Sequence, residues 1–327
     1  MPKLTVICPI FNVEKFIERT AESMLSQTLD DIEYIFVNDC TPDRSIEILE
    51  SVISKFPEKK RYIKIISHEI NQGLPAARNT GLKYATGDYI FHWDSDDYAD
   101  SSMLEEMYNH AVKNNFDIVW CDWWLTFEKN ERRMLTPDYA TPDSALRAML
   151  SGAMKYNVWN KLAKRSLYEQ FSIQFPSGYN MGEDLTMLLL FAHAKRCGRL
   201  PKTFYHYVRT NYNALSNKLQ PEHFEPLKRN VLWIAEELRK IYGQNLDKEI
   251  ALLKLQSKYP LLVTSGELKY YRLWNNWFQE ANKFITGNQY ISLRSKLLQL
   301  MAVHKMYGLI YLHYWLVNKV IYGVIYK

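Results

Sequence analysis

The sequence predicts an α/β fold: a doubly wound, mostly parallel sheet followed by a helical C-terminal region. Three features of its 327 residues point there. Short β-type runs alternate with helical stretches through the first half, the pattern of successive βαβ units. The strand-like run Tyr89-Ile90-Phe91-His92-Trp93 ends in an acidic loop, Asp94-Ser95-Asp96-Asp97, and in such sheets ligands gather at the carboxyl ends of strands. From about Pro221 onward the pattern is helical, with no internal repeat and no low-complexity tract.

Taken in order, residues 4–9 form an apolar run suited to a buried strand, and 13–26 follow with helical spacing, Phe16, Ile17, Met24 and Leu25 marking the inner face. Residues 32–38 predict a second strand, 45–55 a second helix, 63–68 a third strand and 74–85 a third helix, which Gly87 ends. Residues 89–93 predict a fourth strand, 102–114 the next helix and 118–121 another strand. Beyond residue 125 the alternation weakens, and Pro137, Pro142 and Pro176 mark loops. Helices are expected at 143–151, after Asn160 and at 185–195, with a closing strand at 203–208. These elements divide the chain into a first domain, 1–220, made of halves at about 1–122 and 123–220, and a helical region, 221–327.

Apolar residues at 47% and charged residues at 24% describe a globular chain without extended disorder. Cys8, Cys40, Cys121 and Cys197 stand apart without a CxxC pair, which argues against a zinc site or disulfide framework and for a reducing cytoplasm. The opening Met-Pro-Lys-Leu-Thr-Val-Ile-Cys-Pro-Ile-Phe-Asn lacks the layout of a signal peptide. The net charge of +5 conceals an asymmetry, for residues 251–327 hold ten Lys or Arg against two acidic residues, leaving about −3 for the rest. A basic tail rich in Tyr, Trp, Leu and Ile suits an anionic membrane surface better than nucleic acid, which is not expected as a partner. The uncharged run 306–318, between Lys305 and Lys319, has 13 residues and is too short to span a bilayer. It reads as an interfacial helix, peripheral at the inner membrane face, or as a helix packed on the protein or in a homodimer interface.

Asp94 and Asp96, at i and i+2 on a loop, can face one hard cation, Mg²⁺ or Mn²⁺, which prefers oxygens shared between carboxylates and a diphosphate. The bland alternative is a solvated turn capping the helix near Ser102. Three acids in four residues repel one another unless a cation neutralises them.

Four motifs stand in order across residues 3–216: Pro9-Ile10-Phe11-Asn12, Asp39 within Val-Asn-Asp, the run Asn71-Gln72-Gly73-Leu74-Pro75-Ala76-Ala77-Arg78-Asn79-Thr80-Gly81, and Trp93-Asp94-Ser95-Asp96-Asp97. Together they resemble the family 2 glycosyltransferases of the GT-A fold, inverting enzymes of bacterial polysaccharide type. The resemblance implies a nucleotide-sugar donor, UDP-linked by preference, and a saccharide or lipid-linked saccharide acceptor, with a hexosyltransferase activity. It implies a donor pocket from the first three motifs, the first half of the domain serving the donor and the second the acceptor. Pro9, Phe11 and Glu14 would line base and ribose, Asp39 would accept a hydrogen bond from the base, and Asn71 and Gly73 would complete the pocket. Arg78 and Asn79 would steady the loop beside the acidic motif, where Asp94, Ser95 and Asp96 meet the diphosphate and Mn or Mg sits on Asp94 and Asp96. Met181-Gly182-Glu183-Asp184 resembles the family's Glu-Asp pair, implying Asp184 as the base and Glu183 as an acceptor-side residue. Tyr205-His206-Tyr207-Val208-Arg209 and Ser216 resemble its late Tyr-x-Tyr-Arg segment, with His206 a further metal ligand and Arg209 reaching the diphosphate; Val208 is inserted into the commoner spacing. Trp159 and Lys161 resemble a segment near the acceptor.

Competing enzyme classes lack their signatures. A sugar nucleotidyltransferase or a dehydrogenase needs a Gly-rich loop after the first strand, where this chain has Pro9-Ile10-Phe11-Asn12. The remaining alternative is a non-catalytic nucleotide-sugar binder or scaffold in polysaccharide assembly, against which the retained metal acids and Glu-Asp pair argue.

Overall fold

The apolar run at the start becomes the centre of a sheet. In the computed structural model, which describes residues 2–178, 182–211 and 223–317, strand β1 (Leu4–Ile10) is buried at every position. It is flanked by parallel neighbours, β2 (Ile32–Asn38) on one side and β4 (Tyr89–His92) on the other. A strand covered on both faces cannot alternate polar and apolar residues, which is why its sequence is apolar but for Thr5, whose hydroxyl is satisfied by Glu33. β3 (Ile63–Ser67) extends the parallel set beyond β2.

The rest of the sheet is mixed. Among the described residues it has nine strands in the order β3-β2-β1-β4-β8-β6-β9-β5, with β7 paired to β6. β5 is Tyr98–Ala99, β6 Ile118–Thr126, β7 Glu131–Met134, β8 Lys161–Lys164 and β9 Cys197–Val208. β8 runs antiparallel between β4 and β6, and β9 lies parallel to β6 with a register shift around Asp122. The helices are α1 (Ile17–Leu25), α2 (Ser45–Ser54), α3 (Leu74–Tyr84), α4 (Met103–Asn114), α5 (Pro142–Ser151), α6 (Arg165–Gln170) and α7 (Thr186–His193).

Differences from the sequence expectation have local causes. α1 starts at Ile17 rather than 13, because the Val13 and Glu14 amides donate to Ser45 Oγ and Asp43 Oδ2 instead of entering a helix. Its buried stripe is Ile17, Thr20, Ala21, Met24 and Leu25, the spacing of one helical face. The helix expected after Asn160 begins only at Arg165, behind β8. β8 has lysines at both ends, and the first is buried with its ammonium donating to Lys155 O, Asn157 O and Asn160 Oδ1.

The chain divides into two compact units, residues 1–146 with 155–226, and 147–154 with 227–327. The second unit contains α8 (Phe224–Tyr242) from Leu227 onward, α9 (Asp247–Lys258), α10 (Pro260–Val263), α11 (Leu268–Asn276), α12 (Leu293–Val303) and α13 (Tyr307–Trp315). Lys258 organises it: the buried ammonium donates to Trp277 O at 2.8 Å and Asn282 Oδ1 at 2.7 Å and lies 3.8 Å from the Trp274 ring centroid. Among the described residues no helix is long and apolar enough to cross a membrane.

Candidate active site

The carboxyl ends of β1, β2 and β3 are tied together by side chains from the loops that follow them. After β1, Asn12 takes a left-handed conformation and its amide donates to Thr41 Oγ1 at 2.8 Å. Glu14 accepts from the Arg44 amide. Pro9 is buried within β1, whereas Phe11 is exposed at the loop tip. The turn-closing role open to an acid after β2 falls to Asp43, just ahead of the α2 N-cap Arg44; its Oδ1 accepts from the Ser45 amide, Ser45 Oγ and Thr41 Oγ1.

Asp39 does something else. Nearly closed to solvent, its carboxylate meets His68 Nδ1 at 2.7 Å and accepts from the Gln72 and Gly73 amides at 2.8 Å each. Asn71 donates to the Asp39 carbonyl. Gly73, the N-cap of α3, sits at φ 87° and ψ 161°, a conformation essentially closed to residues with a Cβ, and that twist turns its amide onto Asp39. Four of the expected pocket residues, Pro9, Asp39, Asn71 and Gly73, therefore belong to one hydrogen-bonded assembly with β1–β3.

α3 carries Arg78, 1% exposed, into the region where β4 ends. Its guanidinium spans two carboxylates, Nη1 to Asp184 Oδ1 at 3.0 Å and Nη2 to Asp94 Oδ1 at 2.9 Å, with the Phe175 ring 5.4 Å away. The expectation was that Arg78 and Asn79 steady the acidic loop. Arg78 does so and reaches Asp184 as well, while Asn79 turns to the 175–177 segment, bonding Phe175 N, Phe175 O and Ser177 Oγ. A planar fork with donors on separate nitrogens holds two carboxylates at a fixed separation, whereas the single nitrogen of a lysine draws both to one point.

The acidic loop is rigidly framed. Thr20 Oγ1 donates to Ser95 O, Arg19 to Asp96 O, and the Asp94 amide to Tyr205 Oη at 3.2 Å. Asp97 is buried, accepts from the Val208 amide at 2.7 Å, and is thus a structural acid rather than part of an open site. Burial first, then the Asp94 charge, pushes the Asp96 carboxyl up to about 6, even though Asn211 Nδ2 donates to it at 2.8 Å. Asp97 is pushed well up by burial and by Asp96 and Asp94. Burial likewise raises Asp184, with Arg78 opposing. A partly buried loop with three acids and one paired guanidinium fits a hard dication. Asp94 and Asp96 would hold it as carboxylate ligands. Among the described residues no group of three His, Cys, Asp or Glu side chains is gathered for a metal.

His206 is a correction. It does not join Asp94 and Asp96: its Nδ1 meets Glu131 at 2.7 Å, its Nε2 lies 3.6 Å from Asp100, and its ring stacks on Tyr98 at 4.2 Å. The cause is strand alternation. Tyr205, one position earlier on β9, faces the acidic loop, so His206 must face the other side, opposite Tyr98 on β5. Arg209 lies over the Tyr207 ring at 5.9 Å, and its amide donates to Thr126 O. Trp159 is sandwiched with Tyr205 and Tyr207, centroids at 4.9 and 5.0 Å. The Lys161 ammonium, pushed down to about 7 by burial with Asp184 acting against the shift, staples residues 155–160 beneath it. The Glu183 side chain and Ser216 lie outside the described residues.

Sequence reasoning assigned no role to three residues the geometry brings in: His68, Tyr205 and Asn211. Tyr205 had a signal, two positions before Tyr207 in a strand leading to the expected diphosphate arginine. His68 and Asn211 had none beyond their position, at the end of one predicted strand and after another.

The model for glycosyl transferase family 2 matches residues 5–181. EpsJ of Bacillus subtilis (strain 168), an uncharacterized glycosyltransferase, is 36% identical over 226 residues, 66% of this chain and 63% of EpsJ, so the match spans less than two thirds of that relative. The crystal structure of S. aureus TarS 1–349 in complex with UDP-GlcNAc superposes with a TM-score of 0.68 at 19% identity, covering 97% of this chain and 92% of that one. The mannosyltransferase PcManGT from Pyrobaculum calidifontis, in complex with GDP-Man and Mn²⁺, gives 0.52 at 16% identity, covering 93% and 86%. At such identities the structural likeness is one of fold, and that fold is GT-A. With the family model covering more than half its length, this chain belongs to glycosyl transferase family 2 and is a glycosyltransferase.

Proposed function

We propose that the chain transfers a sugar, with inversion, from a UDP-linked donor to a saccharide or lipid-linked saccharide, as a hexosyltransferase with Asp184 as base. The observation that carries this is the Arg78 bridge, because it holds the candidate base and the first acid of the metal motif within reach of one guanidinium. Asp184 keeps 27% of its side-chain surface and Asp94 25%, so both stay open to a ligand while buried Asp97 does not. In a single displacement the acceptor hydroxyl gives its proton to Asp184 as its oxygen bonds the anomeric carbon. The bond from that carbon to the diphosphate breaks on the opposite face, the electron pair leaving with the nucleoside diphosphate. Asp94 and Asp96 would hold a divalent cation, Mn or Mg, which would supply positive charge to that leaving group. Asp39 receives the base, and the amides it orders shape the pocket. The binding of UDP-GlcNAc by TarS supports the donor class, and Mn²⁺ in PcManGT supports the cation.

The second unit supports a membrane-side acceptor. Leu293, Leu297, Leu309, Leu312 and Trp315 of α12 and α13 are exposed, in a stretch that also carries Arg294, Lys296 and Lys305. Such a face suits an anionic lipid surface. Flotation with liposomes containing and lacking anionic lipid tests it: absence of binding to both, or a concentration-dependent dimer in its place, removes the membrane reading.

The deciding experiment is nucleoside diphosphate release from UDP-, GDP- and dTDP-sugars with Mn²⁺ or Mg²⁺, in the parent, Asp96→Ala and Asp184→Asn. Release from one donor, lost in Asp96→Ala, is expected; Asp184→Asn binds donor but does not transfer. Sustained transfer by Asp184→Asn removes it as the base.

A further inference from the structure

An ionised carboxylate offers about four lone-pair positions. At Asp39 three are taken by one stretch of chain: Oδ1 by His68 Nδ1 and the Gln72 amide, Oδ2 by the Gly73 amide. One position on Oδ2 is left. The far side of the His68 ring, Nε2, lies 2.8 Å from Thr80 Oγ1 on α3. Both partners of the central pair are nearly closed to solvent, with side chains 7% exposed for His68 and 4% for Asp39. Because the carboxylate only accepts, the imidazole donates from Nδ1, and Nε2 faces the Thr80 hydroxyl, which can donate or accept and so holds the ring plane from its far side. His68 is in turn anchored to the sheet, its amide donating to Asn38 O at 2.9 Å. The terminal torsion of an aspartate is broad and weakly restrained. Gln72 and Gly73 restrain it from the loop before α3, whereas His68 restrains it from the end of β3.

We propose that His68 is a positioning residue for nucleobase recognition, holding the Asp39 carboxylate plane so that the one remaining Oδ2 position meets a ring N–H of the base. The inference rests on the reading that Asp39 receives the base. An acceptor fixed in that way favours bases with a ring N–H on their pairing edge, such as uracil, and opposes the bare ring nitrogen of cytosine. Discrimination between UDP and CDP thus depends on His68 although it does not touch the ligand.

The test is calorimetric titration of the full chain in Mn²⁺ with UDP, CDP and inorganic pyrophosphate, for the parent, Asp39→Asn, His68→Leu, His68→Asn and the Asp39→Asn/His68→Leu double variant. His68→Asn keeps a donor near the Nδ1 position and His68→Leu removes it. Loss of one charge-assisted restraint is expected to weaken UDP about tenfold in His68→Leu and to narrow the UDP/CDP ratio by a similar factor. Pyrophosphate binding stays parental, His68→Asn recovers most of the loss, and the double variant is no weaker than Asp39→Asn. If Asp39→Asn loses UDP while His68→Leu keeps the parental affinity and ratio, the inference fails alone. Equal weakening of pyrophosphate and UDP by His68→Leu also overturns it, marking a general structural role. Parental UDP binding by Asp39→Asn brings down the underlying reading together with the inference.

Discussion

Replacing Arg78 by methionine keeps most of the buried stem and removes the guanidinium that joins Asp94 to Asp184. The charge-assisted hydrogen bonds to Asp94 and Asp184, at 2.9 and 3.0 Å, are lost, and such bonds contribute about 1.5–3 kcal/mol each. Both acceptors keep about a quarter of their surface, 25% and 27%, so water replaces part of each bond and the lower end applies, roughly 3 kcal/mol for the pair. If that organisation is needed in the transition state, transfer falls by about two orders of magnitude. A second consequence is more specific. Arg78 holds the Asp184 carboxyl down against the burial that raises it, so its removal raises that carboxyl further. Asp184 must be ionised to accept a proton, and the acid limb of kcat/KM against pH should move to higher pH in Arg78→Met. Arg78→Lys, which keeps the charge but loses the planar fork that sets the two carboxylates apart, should fall between. The assay is a pH–rate profile of nucleoside diphosphate formation, with thermal melts confirming folded protein. A loss of rate with the acid limb unmoved would show that Arg78 does not act through Asp184.

The raised Asp96 carboxyl, about 6 against an ordinary 3.8, binds its proton more tightly in the folded chain than in the unfolded one, so Asp96 costs stability above pH 6 and the cost is relieved as pH falls toward 4. Asp96→Asn should therefore stabilise the metal-free protein at pH 7 by about 1–2 kcal/mol and have little effect at pH 4, as read by urea denaturation; equal effects at both pH values would contradict the burial argument. His206→Phe should leave Mn²⁺ affinity unchanged, since the imidazole faces Glu131 and Asp100; a large loss in metal titration would return it to the ligand set. Gly81→Ala would place a Cβ 2.3 Å from Ile7 Cγ2 in the central strand and should cost about 1–3 kcal/mol despite the helix preference of alanine, so a variant of parental stability would show that α3 can shift.

The β1-to-β4 half was legible because each strand is a short apolar run and each helix has a single buried stripe, signals that local periodicity carries. Most of the parallel half followed from this, and the acidic loop was located because β4 ends where its apolar run ends. The second half was less legible. β5 is two residues long, β7 is mostly charged and exposed, and β8 is bounded by lysines, so none has the pattern of a buried strand. Their pairing is set by partners far away in sequence, such as Trp120 with Lys161 and Tyr98 with His206.

The candidate site divides along the same line. The sequence by itself determined which residues carry charge and flexibility: the acids at 94–97, the glycine at 73 and the Glu-Asp pair, each at the end of a predicted element, and the arginine at 78, within a predicted helix. Tertiary structure decided what those groups do to one another. It gave Arg78 two carboxylates 16 and 106 residues away, made Asp97 an internal acceptor, enclosed Asp39 with His68, and put His206 on the far face of β9. A periodicity of two or of 3.6 residues tells which face a side chain occupies relative to its neighbours in the chain. Which distant group lies opposite that face depends on strand order and register, and these are settled only when the whole sheet is paired.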